Sequence, residues 1–276
     1  MPTTHRSLSA ATINYMKIRT FSIALLLLLP AAASAQTAEQ ILAKVIAARG
    51  GREKLHSVRS QRISGTISFG DVGGPFVVEL KRPLKMHMQL TVQNQTMVRV
   101  YDGQSGWANN PFAGKLNPEP MSEDELKNIT EESDFDGPLL DYKTKGNHVE
   151  LAGKDKVKDK DVWRIKLTNK NGDVRFYLFD ADSFLLLKWE GKRKYEGQEL
   201  PVESYFTDYR DVGGLKYAFG IDSGSSATDI TQKIRIDKID LNPNFPDAEF
   251  AKPTTPPQPG SPPPNPASQP PAKPPA

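Results

Sequence analysis

Leu84-Lys85-Met86-His87-Met88-Gln89-Leu90-Thr91-Val92-Gln93 alternates without a fault. Leu84, Met86, Met88, Leu90 and Val92 form one wholly apolar face. Lys85, His87, Gln89, Thr91 and Gln93 form one wholly polar face. Side chains of a strand point alternately to opposite sides, so this is a strand with one dry face and one wet face. Such strands belong to antiparallel sheets, because parallel sheets are covered on both sides.

The same period runs outward in both directions. Upstream, Ile63, Gly65, Ile67 and Phe69 alternate with polar residues, and Asp71–Gly74 marks a turn. Phe76, Val78 and Leu80 follow on the next run. Downstream, Met97–Tyr101 and Gly106–Asn109 flank a turn at Asp102-Gly103. The second half repeats the pattern over 149–153, 162–169, 174–180, 184–189, 199–210, 215–221 and 229–241. Asn171-Gly172 is a strong hairpin signal between two of these runs. Ile234 and Ile236 change face to Ile239 and Leu241, which predicts a bulge near Asp237. Phe184–Leu187 is apolar on both faces and reads as a doubly covered strand. In all, about ten or eleven strands are expected, with no long helix between neighbours and therefore no parallel sheet.

Two helices interrupt the strands. Thr37 with Gln40 is a capping box, and Ile41, Leu42, Val45 and Ile46 form one apolar stripe that ends at Gly50-Gly51. A short second helix fits Arg52–Val58. Residues 110–140 lose the alternation and carry Pro111, Pro118, Pro120 and Pro138. Within them Ser122-Glu-Asp-Glu125 caps a helix that buries little beyond Leu126 and Ile129, with Phe135 after its end. A helix so poor in apolar residues is marginal alone. It is expected to lie over something as a lid.

A long antiparallel sheet twists and curls. Its dry face then lines a half-pipe, which the first helix partly fills. The expected lining is Phe69, Phe76, Met86, Met88, Leu90, Trp107 and Phe176. Methionines and aromatics in an incompletely filled apolar trough accept a chain-like ligand by repacking. A dry, filled core satisfies the same periodicity.

The chain has 276 residues, 36 Lys+Arg, 33 Asp+Glu and no cysteine, with a formal net charge of +3. Its pI near 8.8 invites a nucleic-acid reading. However, residues 1–35 hold Arg6, Lys17 and Arg19 and no acid, which leaves 33 basic against 33 acidic residues elsewhere. No basic stripe remains to neutralise phosphates. Residues 1–35 read as a signal peptide: a basic Met16-Lys-Ile-Arg19, the apolar run Phe21–Leu29, and Ala33-Ser34-Ala35 before a cleavage at Gln36. Met16 is the expected true start, and the mature protein is expected in a bacterial periplasm. From Pro253 to Ala276, twelve of 24 residues are proline, which predicts an extended or disordered tail. The folded domain is thus expected over 36–252.

No chemistry-bearing motif stands out. His56, His87 and His148 lack metal-helix spacing, and His87 points away from Met86 and Met88. No nucleophile elbow, phosphate loop or dinucleotide fingerprint occurs, and without cysteine there is no thiolate site. The reading is of a non-enzymatic binding module with no metal and no cofactor.

The order of several stretches resembles the LolA-like family of outer-membrane lipoprotein-sorting proteins, over roughly residues 36–240. They are Ala48-Arg-Gly-Gly-Arg-Glu-Lys-Leu55, Tyr101-Asp-Gly-Gln-Ser-Gly-Trp107, Asp134-Phe-Asp-Gly-Pro-Leu-Leu-Asp-Tyr142 and Phe206-Thr-Asp-Tyr-Arg-Asp-Val-Gly-Gly-Leu215. The resemblance implies an α+β, mostly β fold: a curled antiparallel sheet, an unclosed β-barrel, wrapped on an N-terminal helix with a helical lid. It implies a periplasmic monomer that carries a lipoprotein acyl chain or another lipid between membrane-bound donor and acceptor proteins. It also implies an arginine on an early strand that holds the lid, and Arg62 stands in that neighbourhood. A sensor or interaction domain with a filled core is the alternative within the same fold.

Overall fold

The computed structural model describes residues 1–2, 36–195, 197–225 and 228–253. The expected signal segment beyond Pro2 and the tail beyond Pro253 lie outside them. Helix α1 spans Ala38–Ala48, α2 Arg52–Ser57 and α3 Glu123–Ser133. The strands are β1 (Ser60–Phe69), β2 (Val72–Lys81), β3 (Lys85–Val92), β4 (Gln95–Tyr101), β5 (Gly106–Asn110), β6 (Lys115–Pro120), β7 (His148–Val157), β8 (Lys160–Thr168), β9 (Val174–Asp180), β10 (Leu186–Tyr195), β11 (Gln198–Val212), β12 (Leu215–Ser225) and β13 (Thr228–Leu241).

Among the described residues the thirteen strands form one antiparallel sheet, ordered β6-β5-β4-β3-β2-β1-β13-β12-β11-β10-β9-β8-β7. The first strand thus pairs with the last, and the sheet is not closed: β6 and β7 remain edges. The sheet exceeds the expected strand number mainly through β6, whose Pro118 and Pro120 hide it from a pattern search. Both prolines are tolerable there because an edge strand need not donate on its outer side. The bulge at Asp237 is present: Ser64 pairs with Lys238, but Gly65 pairs with Ile236. Phe184 is no strand residue. It has φ +57° in the turn before β10, so the apolar run there serves a turn and a strand start.

Helix α1 closes its first turn as read. Gln40 N donates to Thr37 Oγ1 at 3.3 Å, and Thr37 N donates to Gln40 Oε1 at 3.1 Å. Ile41, Leu42 and Val45 are buried against Val149, Ile165, Leu167, Tyr177 and Phe179 of β7–β9. Each such side chain contributes about 1.5–3 kcal/mol on burial. Gly50 ends the helix with φ +116°, and a Cβ there would stand 2.4 Å from Gly214 O. Only glycine fits both the turn and the approach of the β11–β12 hairpin.

The other face of β1–β3 is covered by the segment after β13. Phe245 and Phe250 are 2% and 0% exposed, and their rings meet edge to face at 6.0 Å. Arg62 lies beneath Phe245, with its guanidinium carbon 5.2 Å from the ring centre. Arg62 pairs with Glu79, which also holds His87 Nδ1 at 3.1 Å. Lys81 Nζ donates to Phe245 O at 2.8 Å and reaches Asp247 at 2.7 Å. Arg62 is therefore a structural residue of the outer face. The expectation that it holds the lid is corrected: the pleat aims it away from the concave side.

Candidate functional site

The concave face carries the apolar register of the sequence. Ile63 of β1 pairs with Val78 of β2, and Val78 with Met88 of β3, so the three form one row. All three are only half-buried, and they touch two apolar clusters at once. One cluster holds Phe76 and Leu90, and the other Met86, Leu80 and Ile129. Between two packed clusters this row keeps exposed apolar surface. Phe76, Met86 and Leu90 are buried beside it. Phe69 lies at the far end of β1 and is 40% exposed.

Trp107 and Phe176 do not join them. Trp107 pairs with Val100 and shares its side of the sheet, opposite Met97 and Tyr101. Phe176 packs beside Leu178, under Arg164 at 4.2 Å, while its neighbours Tyr177 and Phe179 face α1. β9 is apolar on both faces, so alternation alone cannot assign its inner side. The outer face of β3 holds His87, which bonds Glu79 and Gln89 and is turned from Met86 and Met88. Among the described residues no group of three His, Asp or Glu side chains is placed to hold a metal ion.

Helix α3 lies over the concave side. Its capping box is formed: Ser122 N donates to Glu125 Oε2 at 2.8 Å and Glu125 N to Ser122 Oγ at 3.4 Å. Glu123, Asp124 and Glu125 occupy the first turn, where the helix dipole favours acids. Ile129 is 0% exposed and, with Leu126 and Phe135, joins the cluster of Leu80, Met86 and Tyr101. Leu126 and Ile129 of α3 and Phe135 just beyond its end, the residues expected in the lid, thus lie in one cluster.

The rest of its grip is polar. Glu132 lies 2.7 Å from Arg99 Nη1 of β4 and 3.1 Å from Arg193 Nη1 of β10. Glu131 lies 3.1 Å from Arg175 Nη2 of β9. Lys127 reaches Asp173 in the β8–β9 turn at 2.9 Å. Thr130 Oγ1 lies 3.1 Å from Tyr101 OH. Arg175 stacks on Trp189 at 4.5 Å. Burial opposes its charge, but Tyr177 and Glu131 outweigh that and raise its pKa.

These arginines are missed by motif reading, yet they leave a signal. Arg99 stands between Met97 and Tyr101, Arg175 precedes Tyr177 and Phe179 by even steps, and Arg193 continues Trp189-Gly191. Each is a charge in the dry register of its strand. Such a residue needs a partner on the buried side.

The segment after α3 is the anchored end. Arg82 grips Asp136 with both terminal nitrogens, at 2.5 and 2.8 Å. Its Nε donates to Val58 O at 2.7 Å, and its guanidinium lies 4.7 Å from the Phe135 ring centre. Lys145 holds Asp134 at 2.5 Å. Leu140 is buried against Leu55, Val58 and Leu215. This explains the stretch Asp134–Tyr142: it roots the lid in α2 and the sheet. Between α3, this segment and the β8–β9 turn lies a cavity of about 790 Å³, with Leu84, Tyr101, Leu126, Leu167, Arg82 and Arg175 in its wall.

With this geometry the chain superposes on solved structures of one architecture. A LolA superfamily protein from Nitrosomonas europaea matches with TM-score 0.52 at 15% identity, over 79% of this chain and 99% of that one. A Vibrio parahaemolyticus domain assigned to outer membrane lipoprotein sorting matches with TM-score 0.50 at 12% identity, over 77% and 95%. The chain has the LolA-like fold. A DUF1329 family protein from Desulfovibrio piger shares it, with TM-score 0.53 at 10% identity over 77% and 96%. No protein-family model and no curated protein matches the sequence. The LolA-like fold here is therefore carried by register and topology. Sequence identity contributes little to it.

Proposed function

We propose that the protein is an exported, periplasmic carrier or binding protein for acyl chains of lipids or lipoproteins, with α3 as its lid and no catalytic role. The observation that carries this is the half-buried row Ile63–Val78–Met88 on the concave face. Half-buried apolar surface between two packed clusters is a place where a chain can be added by repacking. Burying each CH₂ contributes about 0.8 kcal/mol, so one long acyl chain supplies roughly 10 kcal/mol before ordering costs. No polar recognition is needed for that affinity. The LolA-like fold of the solved neighbours supports the reading, and the signal-like residues 1–35 support export.

A filled-core interaction or sensor domain is the second reading. The tight burial of Phe76, Met86 and Leu90 favours it. The test is organic extraction of the purified mature protein followed by mass spectrometry, together with titration of a fluorescent acyl probe. The carrier reading expects co-purified lipid or a saturable signal. Neither would appear for the filled core.

A further inference from the structure

Arg99, Arg175 and Arg193 come from three strands, yet all three meet adjacent carboxylates of one helix. Their side chains are 21%, 20% and 39% exposed. Arg99 and Arg193 share the single Glu132 carboxylate, so their guanidinium groups are one carboxylate apart. Arg193 Nε is also buried without a hydrogen-bond partner. Arg175 lines the 790 Å³ cavity, whose wall also carries Leu84, Leu126 and Leu167. Lysines 127, 145, 170 and 192 line it as well, and Lys170 has no acidic partner among the described residues.

Three guanidinium groups cannot stay on a concave apolar face without an anion. In the closed state Glu131 and Glu132 are that anion. We propose that these two carboxylates occupy the site of a ligand's own anionic head. When α3 lifts, Arg99, Arg175 and Arg193 form a cradle for a carboxylate or phosphate whose acyl chain lies along the Ile63–Val78–Met88 row. The ligand class is then an anionic amphiphile. Guanidinium forks suit such groups, and the orphan Arg193 Nε supplies one donor more than Glu132 uses. The inference rests on the carrier reading with α3 as lid, and it adds the head-group chemistry.

The test measures affinities of the mature protein for dodecyl phosphate, laurate, the neutral dodecyl maltoside and inorganic phosphate. It compares wild type, E131Q/E132Q and R175Q/R193Q. The expected result is roughly tenfold tighter binding of both anionic amphiphiles by E131Q/E132Q, with the neutral one changed far less. In R175Q/R193Q the preference for anionic over neutral chains disappears, while neutral binding persists and reports a folded trough. Equal gains for neutral and anionic chains in E131Q/E132Q would overturn the cradle and leave the carrier standing. Tight inorganic phosphate with no gain from the chain would keep the cradle and overturn the carrier. No binding of any amphiphile by any of the three proteins would overturn both.

Discussion

Glu132 of α3 holds Arg99 of β4 at 2.7 Å, and its other oxygen holds Arg193 of β10 at 3.1 Å. Six strands separate β4 from β10 in the sheet order. At roughly 4.8 Å per strand, a flat sheet would put them about 34 Å apart. One carboxylate spans them because the sheet has curled until its two wings face each other. The lid is thus clasped across the mouth of the half-pipe, and the clasp reports the curl directly.

Removing the clasp frees the helix. Glu132→Ala leaves Arg99 and Arg193 facing each other without a counter-charge. Charged hydrogen bonds contribute about 1.5–3 kcal/mol when buried. These are a fifth to two-fifths exposed, so about 1 kcal/mol is expected after screening. Amides of Glu123–Ser133 should exchange roughly five- to tenfold faster, with little change in β1–β3. Unchanged protection of α3 would count against the clasp.

The face assignment is tested at adjacent positions. Met88 is on the concave row, and Gln89 is beside His87 on the outer face. Met88→Asp puts a charge on apolar surface and should cost about 3 kcal/mol or more. Gln89→Asp should cost about 1 kcal/mol or less. Urea melts of the two variants settle it, and equal midpoints would refute the register.

Gly106 sits under the start of the lid. A Cβ there would stand 2.6 Å from Met121 Sδ and 3.0 Å from Leu126 Cδ2. Both neighbours are ends of flexible side chains, so the lid can shift and the sheet need not. Gly106→Ala is expected to raise acyl-probe on-rates while lowering stability by only about 1–2 kcal/mol. A large loss of stability with unchanged on-rate would place Gly106 in the core frame instead.

The segment after β13, which straps the outer face of β1–β3 and contains Glu249, titrates. Glu249 has its pKa raised by burial and by the neighbouring Glu79. Burial opposes the charge of Glu79, but His87 and Arg62 outweigh it and lower its pKa. Lys81, Lys85 and Asp247 complete the charged groups around the strap. A raised carboxyl favours the folded state while protonated. That contribution is full below the ordinary carboxylate range and is lost as pH rises through the raised value. Glu79 acts oppositely, and its contribution is lost as pH falls. Glu249→Gln should therefore raise Tm at pH 7.5 by about 2–4 °C for each kcal/mol recovered, with no gain near pH 4. A gain of equal size at both pH values would show that titration is not involved.

Much of this fold is legible in period two alone. The dry face of β3, the capping box of α1, the bulge at Asp237 and the weak lid helix all follow from local rules. Three kinds of feature do not. β6 is hidden by its prolines, because an edge position removes the very penalty that a pattern search relies on. The inner side of β9 is undecidable where both faces are apolar, and so Phe176 is placed opposite to expectation. The segment of Phe245 and Phe250 after β13 has no period, and only its two phenylalanines, the first between Pro243 and Pro246, hint at burial. In the site, the alternation finds Met86, Met88 and Leu90 but not their polar clasp. Arg99, Arg175 and Arg193 are distant in sequence, and only the curl brings them to one helix.

If the Ile63–Val78–Met88 row is the floor of an acyl-chain trough, a larger side chain there displaces the ligand. The measurement is titration of a fluorescent fatty acid into wild type and Val78→Phe, with thermal melts of both. Filling the row at Val78 should weaken saturable binding roughly tenfold or more while the protein stays folded. Saturable binding of equal strength in the two proteins, or none in wild type, would contradict it.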